Sequence, residues 1–479
     1  MPRQVLIIHG WSDTSKSFLP LAAFLANNGY APKVLWLGDY ISKDDDVRVA
    51  DVGKRMGEVI TEMQKGGELD SSFDVIVHST GGLVAREWLT SWYRGAAAKC
   101  PMKRLIMLAP ANYGSKLAAT GKSMLGRLVK GYNNWFQTGQ AMLDDLELSS
   151  VFQWQLAQRD VLRMPGADDT RYYGKDAVWP FVIVGTHPYA SALRQIVNED
   201  GSDGTVRVCA ANLNAKGVTI DFTATDQSKF IVPWDSRLES DVPLAVLPTR
   251  THGSIIDPDR ADKDNQEKIP ESAEEKAQLG KLILQALGCA NFDAYQAIQA
   301  EWDALTETTA GLHVQPPPGE NPELYHQYMQ VNACVVDGDY RPVDDYFLEF
   351  YSDTSKKNDN ANVYLHGKVI EDVKKNSVFP YLRNLYFDRT DLVEGYYKLL
   401  PSGTEPTLFM SISAAAPGKN INYLERNNPR SERQVPVHLE GDATKRWLRR
   451  NTTHFVQIVI PRIPNANVFK LTNFPDLKG

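Results

Sequence analysis

Residues 75–83, Val-Ile-Val-His-Ser-Thr-Gly-Gly-Leu, constrain the fold more than any other stretch of the sequence. They place Ser79 between an apolar run typical of a buried strand and a run typical of a helix start. A strand that turns sharply into a helix strains the residue at the turn and tolerates only small neighbours. Gly81 fits such a turn, whereas Val77 stands where glycine is usual. The stretch therefore predicts a nucleophile elbow with Ser79 at its tip.

The segments around this turn alternate between two periodicities. Apolar runs of strand length alternate with amphipathic segments of helical spacing, and this alternation predicts an α/β fold with a mostly parallel sheet and helices on both faces. Ser272 and Glu275 form a capping box that predicts the start of a late helix. Strands are expected at 4–8, 33–37, 73–77, 104–109, 179–184, 206–208, 218–224 and 242–247, and helices at 18–25, 51–65, 82–92, 272–288 and 293–306.

Residues 111–174 interrupt the alternation with amphipathic helical pieces and no convincing strand, which predicts a helical cap or lid insertion over one end of the sheet. Two interpretations stay open for this insertion, additional core helices and a mobile, substrate-facing lid. In the second interpretation, its apolar side chains form part of a substrate pocket, and the candidates are Trp135, Phe136, Met142 and Phe152.

A proline-rich stretch at 313–322 predicts a stiff linker. It divides the chain into an α/β domain over residues 1–312 and a second domain over residues 323–479. The second part has a period of two and many turn residues, so we expect an antiparallel β-sandwich-like domain. Its strands are expected at 329–336, 346–351, 363–370, 407–413 and 454–460.

Composition excludes several classes of protein. Of the 479 residues, 43% are hydrophobic and 23% charged, which is typical of a soluble globular chain, and a net charge of −7 gives no reason to expect a nucleic-acid partner. The four cysteines lie far apart and predict buried free thiols. We expect no metal and no cofactor. Without a signal peptide or an apolar run of ~20 residues, a cytoplasmic location is the default, and export by a signal-independent route stays open.

Several short motifs, taken in order, resemble the α/β-hydrolase superfamily and most closely its bacterial lipase and esterase branch. The resemblance covers roughly residues 4–288, and the order serine, acid, histidine agrees with it. The motifs are Ile8-His9-Gly10-Trp11, His78-Ser79-Thr80-Gly81-Gly82, Ala109-Pro110, Ser202-Asp203-Gly204-Thr205-Val206 and Thr251-His252-Gly253.

The resemblance implies a role for each member of the set. Ser79 is the expected nucleophile, His252 the base, and Asp203 the acid that orients the histidine. Glu199 and Asp200 lie close to Asp203 in sequence and remain rivals for the acid.

The resemblance also implies an oxyanion hole, formed by the backbone N–H groups of Trp11 and Thr80. Trp11 could in addition form an apolar wall of the pocket. His9 and His78 are expected to support the oxyanion loop and the elbow through hydrogen bonds.

These residues imply a serine carboxylic-ester hydrolase, lipase-like, that works through an acyl-enzyme. Three alternatives stay open: a phospholipase, another acyl hydrolase or acyltransferase on the same triad, and a non-catalytic binding protein that uses its C-terminal β domain. The expected partner is an acyl-ester or lipid substrate, with peripheral contact at a lipid surface, and the oligomeric state is open.

Overall fold

The structure is a computed structural model that describes residues 3–11, 13–30, 35–120, 139–189, 198–259, 271–352, 360–401, 407–423, 434–438 and 448–473. The strands are β1 Gln4–Ile8, β2 Leu35–Gly38, β3 Phe73–His78, β4 Met102–Leu108, β5 Leu162–Arg163, β6 Trp179–Gly185, β7 Ala215–Asp221, β8 Ile231–Pro233, β9 Asp235–Ser236, β10 Leu244–Leu247, β11 Tyr328–Asp337, β12 Tyr346–Tyr351, β13 Ile370–Lys375, β14 Leu382–Asp388, β15 Thr407–Ala414, β16 Ile421–Asn422, β17 Gln434–His438, β18 Thr452–Ile460 and β19 Ile463–Pro464. The α-helices are α1 Leu19–Asn27, α2 Val49–Gly66, α3 Gly81–Trp92, α4 Lys116–Thr120, α5 Gln140–Leu146, α6 Val151–Asp160, α7 Val208–Ala211, α8 Ala273–Gly288, α9 Phe292–Gly311, α10 Asn360–Tyr364 and α11 Arg389–Glu394.

The first sheet has six parallel strands in the order β10-β6-β4-β3-β1-β2. Its central strand β3 is buried along its whole length, as the apolar run before Ser79 requires. Helices α2 and α3 pack together over one face, and α8 packs on α1 through Gly280 and Phe24 over the other. Helix α8 begins with the predicted capping box of Ser272 and Glu275. The predicted parallel sheet with helices on both faces is thus confirmed.

The second sheet runs in the order β13-β14-β11-β18-β7-β8, and it is mixed. Strands β11, β18 and β7 pair in parallel, while the outer pairings are antiparallel. The expectation of a purely antiparallel second part was wrong in this respect. Long stretches of chain separate the three central strands, so no hairpin imposes antiparallel pairing on them.

Strand β7 also corrects the assignment of residues 218–224 to the first sheet. Residues 215–221 leave that sheet and pair with β18, near the other end of the chain. Residues 206–208 form no strand, because α7 begins at Val208. Two strands of the first half, β7 and β8, therefore complete the second sheet, and the boundary at 313–322 stays a prediction.

The second sheet lies between two apolar cores. Along β11, Met329, Val331 and Val335 face a core shared with the small antiparallel sheet β12-β15-β17. Their neighbours Cys334 and Val336 face the core of the first sheet instead. This alternation is the period of two that the sequence showed. The second and third sheets thus form a sandwich-like pair, and the second sheet packs on the α/β part.

The expected strand at 363–370 was wrong, since most of it lies in α10 and a following π-helical turn, Leu365–Val369. The buried side chains Ala361, Leu365 and Val369 recur every four residues, which is a helical spacing. Val363, which supported the strand assignment, is exposed.

The insertion at 111–174 contains helices α4, α5 and α6 and the short strand β5. Residues 121–138, and with them Trp135 and Phe136, lie outside the described residues, so the lid interpretation stays a prediction. Within the described ranges, no helix combines the length and the apolar character that a membrane span needs.

Candidate functional site

Ser79 occupies a strained turn between β3, which ends at His78, and α3, which begins at Gly81. Its φ is +54°, a left-handed conformation that side chains other than glycine rarely adopt. Backbone hydrogen bonds hold the turn: Ser79 N donates to Leu108 O at 3.1 Å, and Ser79 O accepts from Gly82 N at 3.1 Å and from Ala111 N at 3.2 Å. A Cβ at Gly81 would lie 2.9 Å from His9 O, so only glycine fits there. The buried Val77 is accommodated within β3.

Three side chains form one hydrogen-bonded chain at this turn. His252 Nε2 lies 3.0 Å from Ser79 Oγ, and His252 Nδ1 lies 2.8 Å from Asp203 Oδ2. Because an ionised carboxylate only accepts, Nδ1–H donates to Asp203 and Nε2 is left to accept from the hydroxyl. Ser79 and His252 keep 9% and 8% of their surface exposed, while Asp203 is fully buried. The arrangement allows proton transfer from the hydroxyl to a neutral imidazole.

The Asp203 carboxylate is fixed by its own loop. Its Oδ1 accepts from Thr205 N at 3.0 Å and from Val206 N at 2.8 Å, which leaves Oδ2 for the histidine. The backbone adds a bond from His252 N to Asp203 O at 2.9 Å. The acid and the histidine loop are therefore held together by side chain and main chain.

Of the two rival acids, Glu199 has its carboxylate engaged by cations, and Asp200 is bound through its main chain. Glu199 accepts from both Arg207 and Lys116. Burial alone would raise the pKa of Glu199, but these two cations outweigh burial and hold the pKa at about 2. The backbone carbonyl of Asp200 accepts from the Tyr386 hydroxyl at 2.7 Å, which binds its main chain to the second sheet, whereas the carboxylate that reaches His252 Nδ1 is that of Asp203. The geometry thus favours Asp203 among the three.

The loop after β1 packs directly against Ser79. A Cβ at Gly10 would lie 2.7 Å from the Cβ of Ser79, so the main chain comes this close to Ser79 only because residue 10 has no side chain. His9 fixes this loop, because its Nδ1 donates to Gly10 O at 2.7 Å and its Nε2 accepts from Tyr40 N at 3.1 Å. The rings of His9 and Tyr40 also stack, with centroids 4.3 Å apart.

The two expected oxyanion donors flank this contact. Trp11 follows Gly10 and is half-buried, with its indole beside Gly139. Thr80 is the N-cap residue of α3, whose first amides have no partner within the helix and carry the positive end of its dipole. Both positions suit the stabilisation of negative charge beside Ser79, and their role as donors stays a proposal.

His78 supports the histidine loop from below. Its Nε2 donates to His252 O at 3.0 Å, and its Nδ1 has no hydrogen-bond partner among the described residues. Burial, together with the nearby His252, lowers the pKa of His78 well below its ordinary value of 6.5. His78 is therefore neutral and acts on the backbone, as expected of a structural histidine.

Two of the four candidate pocket residues, Met142 and Phe152, lie among the described residues. Met142 is fully buried in the core of the first sheet, and Phe152 packs half-buried against the same core. Trp135 and Phe136 lie outside the described residues. Their role as pocket residues therefore stays a prediction.

Sequence reasoning missed an apolar cavity of about 440 Å³ between strands β1 and β2 and helix α2. Trp36 Nε1 and the Tyr40 hydroxyl lie buried in its wall without a hydrogen-bond partner among the described residues. The signal in the sequence was the apolar side of α2, because Val52, Met56, Val59, Ile60 and Met63 recur at helical spacing and all line the cavity. The apolar lining residues are Leu6, Ile8, Trp36, Ile41, Val47, Val52, Met56, Val59, Ile60, Met63, Leu69 and Val84.

Within the described ranges, one group of residues has metal-ligand character. His326, Asp388 and Asp391 bring ligand atoms within 4.8 Å of one another. His326 Nδ1 already donates to Asp388 Oδ2 at 2.5 Å. Burial lowers the pKa of His326, but this bond to Asp388 outweighs burial and raises the pKa. Asp388 also caps α11 by accepting from Asp391 N. The contacts describe an ion pair at a helix start.

Known proteins that are similar to this chain include hydrolases. The model of the alpha/beta hydrolase family matches residues 5–262. No curated protein matches the chain.

Among solved structures, phospholipase PlaB from Legionella pneumophila is similar over 98% of this chain and 96% of its own, with 26% identity and a TM-score of 0.77. The same phospholipase in complex with thio-NAD matches over the same shares, with 25% identity and a TM-score of 0.77. The family match covers more than half of the sequence, and the chain therefore belongs to the alpha/beta hydrolase family.

Proposed function

We propose that the protein is a serine carboxylic-ester hydrolase that cleaves lipid acyl esters. The observation that carries the proposal is the hydrogen-bonded chain Ser79–His252–Asp203, with distances of 3.0 and 2.8 Å and with the serine at a φ of +54°. Each part has a chemical use, since a serine hydroxyl becomes nucleophilic only when a positioned base removes its proton.

In the acylation step, Ser79 Oγ attacks the ester carbonyl carbon while His252 Nε2 takes the hydroxyl proton. The Asp203 carboxylate stabilises the resulting imidazolium, and the N–H groups of Trp11 and Thr80 bind the carbonyl oxygen as it gains negative charge. His252 then gives its proton to the leaving alcohol oxygen, and the acyl group stays on Ser79. A water molecule repeats the sequence and releases the carboxylic acid.

Phospholipids are the substrate class that the similarity favours, because a phospholipase shares the whole length of the chain at 26% identity. The apolar lining of the cavity beside β2 suits the binding of a long acyl chain. Its lining does not include Ser79, and two packed contacts lie between the cavity and the site: Tyr40 in the cavity wall stacks on His9, and Gly10, which follows His9, packs against Ser79. At about 440 Å³, its volume is within the range of ligand pockets, roughly 300–1,000 Å³.

The test combines labelling with turnover. The purified protein is treated with a fluorophosphonate and the adduct mapped by mass spectrometry, and hydrolysis of phosphatidylcholine vesicles, trioleoylglycerol emulsions and p-nitrophenyl esters of graded length is measured. We expect labelling of Ser79 and release of fatty acid from the vesicles. Ser79→Ala should abolish both, whereas Ser91→Ala on the helix that follows Ser79 should change neither.

Turnover that survives Ser79→Ala, or an adduct on another residue, would overturn the serine-hydrolase proposal. Faster release from trioleoylglycerol than from phosphatidylcholine would make the protein an acylglycerol lipase instead.

A further inference from the structure

The loop that carries Asp203 is anchored outside the α/β part of the molecule. Just after the acid, Arg207 is 2% exposed and donates through Nε and Nη2 to the two oxygens of Glu199, at 2.8 and 2.6 Å. Its Nη1 donates to Asn384 Oδ1 on β14 at 2.6 Å. One guanidinium therefore joins both ends of the loop to the second sheet in a fixed, planar geometry.

Tyr386, two residues after Asn384 on the same strand, makes the second attachment. Its ring lies under the Arg207 guanidinium at 3.8 Å, and its hydroxyl donates to Asp200 O at 2.7 Å. Gly201 sits directly on this surface, where an added Cβ would be 2.1 Å from the ring of Tyr328. Gly201 thus packs closely against Tyr328 and Tyr386, whose rings stack with their centroids 4.9 Å apart.

Hydrogen bonds within the loop connect these attachments to Asp203. Val208 N donates to Gly201 O at 2.9 Å, and Asp203 N donates to Val206 O at 3.2 Å, so the segment closes into a compact turn. The amides of Thr205 and Val206 within this turn are the ones that hold Asp203 Oδ1. Any movement of residues 199–208 on the second sheet would therefore move the carboxylate relative to His252.

We infer that the second sheet positions the catalytic acid, with Arg207, Asn384 and Tyr386 as positioning residues for Asp203. The inference rests on the proposed function, in which Asp203 orients His252. It assigns to the C-terminal half of the chain a part in the chemistry. The sheet sets the distance between acid and base, and it does so without contact with the substrate.

The surface of the second sheet is built for this contact. Gln330 and Asn384 are buried polar residues on the side that faces the α/β part, and their amides find partners across the contact in Tyr113 O and Arg207. Buried amides with specific partners fix one relative placement, because any other placement leaves polar groups unsatisfied. An apolar contact of equal area would tolerate sliding.

Tyr386→Phe provides the gentlest test, since it removes the hydroxyl bond to Asp200 and keeps the ring under Arg207. Its matched control is Tyr423→Phe, which removes a buried hydroxyl bond to Asp337 Oδ2, outside the loop. We expect Tyr386→Phe to lower kcat about five- to tenfold on a p-nitrophenyl ester with an unchanged KM, and Tyr423→Phe to leave both within twofold. Arg207→Met should lower kcat further, and Arg207→Lys should recover part of it.

A double-mutant cycle with Asp203→Asn separates positioning from general stability. If Tyr386 acts through the acid, Tyr386→Phe should change kcat less than twofold in the Asp203→Asn background. An equal fall in kcat in both backgrounds, or wild-type kcat in Tyr386→Phe, would overturn the inference.

Hydrogen exchange supplies a readout independent of activity. Tyr386→Phe and Arg207→Met should speed exchange of the Thr205 and Val206 amides, and Tyr423→Phe should leave it unchanged. Unchanged exchange in all three variants would contradict the positioning role even if the protein proves not to be a serine hydrolase. Failure of the proposed function shows separately, as turnover that survives Ser79→Ala.

Discussion

Asp203 and His252 are joined twice, by the 2.8 Å bond between Oδ2 and Nδ1 and by the bond from His252 N to Asp203 O. The side-chain bond sets the tautomer of the imidazole, whereas the main-chain bond sets its position. Asp203→Asn keeps the second and spoils the first, because an amide can donate to Nδ1 and leave Nε2 protonated. We expect kcat to fall by roughly 10³- to 10⁴-fold while the fold is retained.

The measurement is ester turnover alongside circular dichroism. Asp200→Asn is the matched control, and it should retain activity within a few-fold. If kcat falls as far in Asp200→Asn as in Asp203→Asn, the proposal that Asp203 is the acid is wrong.

The left-handed φ of Ser79 predicts that activity and stability conflict at this position. Ser79→Gly relieves the strain of a side chain at φ +54°, so it should unfold with a free energy about 1 kcal/mol higher than that of Ser79→Ala. Both variants should be inactive. Urea unfolding of the two proteins measures the difference.

In the control for this comparison, at Ser91, the glycine variant should be the less stable one. Ser91 lies within α3, where glycine costs about 1 kcal/mol relative to alanine. Ser91→Gly should therefore be less stable than Ser91→Ala. If glycine is also the less stable variant at position 79, the turn is not strained.

Gly10→Ala tests the approach of the oxyanion loop. The new Cβ would meet Ser79 Cβ at 2.7 Å, so the loop must retreat and the amide after it must leave the nucleophile. We expect kcat to drop by 10²-fold or more, as for the loss of one oxyanion donor, with little change in KM. Gly38→Ala is the control, since its nearest contact would be an ordinary 3.6 Å. Equal activities of the two variants would contradict this placement of the loop.

The ion pair of Glu199 predicts a pH dependence of stability. Its pKa of about 2 in the folded protein lies below the ordinary 4.5, so its contribution is complete above pH 4.5 and is lost as the pH falls towards 2. The contribution at neutral pH is roughly 3 kcal/mol. Urea unfolding of wild type and Glu199→Gln should therefore differ most at pH 6 and least near pH 2.5. A difference that stays constant over this range would argue against the pairing.

Filling the cavity beside β2 should shorten the preferred acyl chain. Val59→Phe places a ring among the lining residues on α2, so long p-nitrophenyl esters should lose kcat/KM by tenfold or more while short ones stay within twofold. Lys54→Phe adds the same ring to the exposed side of α2 and should leave the profile unchanged. An unaltered chain-length profile in Val59→Phe would mean that the acyl chain binds elsewhere.

Local patterns in the sequence were sufficient for the six strands of the first sheet, although they also assigned residues 206–208 and 218–224 to it wrongly. The apolar run before Ser79, the glycine after it and the capping box at Ser272 are short-range signals, and each predicts its own element. The positions of Asp203 and His252 came from motif order. Their contact distances came only with the fold, because 49 positions separate them in the chain.

Signals that depend on distant partners could not be read in this way. Residues 215–221 have the composition of a strand, but nothing in them tells which sheet they join, since that is decided by β18 far along the chain. Arg207 belongs to no local motif, because its contacts are with Asn384 and Tyr386, more than 170 positions away in the chain. Residues 363–370 misled because exposed Val363 imitates a strand residue.

The pairing of β7 with β18 has a consequence for how the chain is made. The bond from Asn212 Nδ2 to Asn451 O, at the start of this pairing, spans 239 positions. During synthesis, the first sheet can form early, but β7 pairs only with β8 until residues 452–460 have left the ribosome. Such contacts slow folding and leave a strand edge open to wrong partners. Expression of the first half alone should therefore yield aggregates, whereas co-expression with the second half should yield folded, non-aggregated protein.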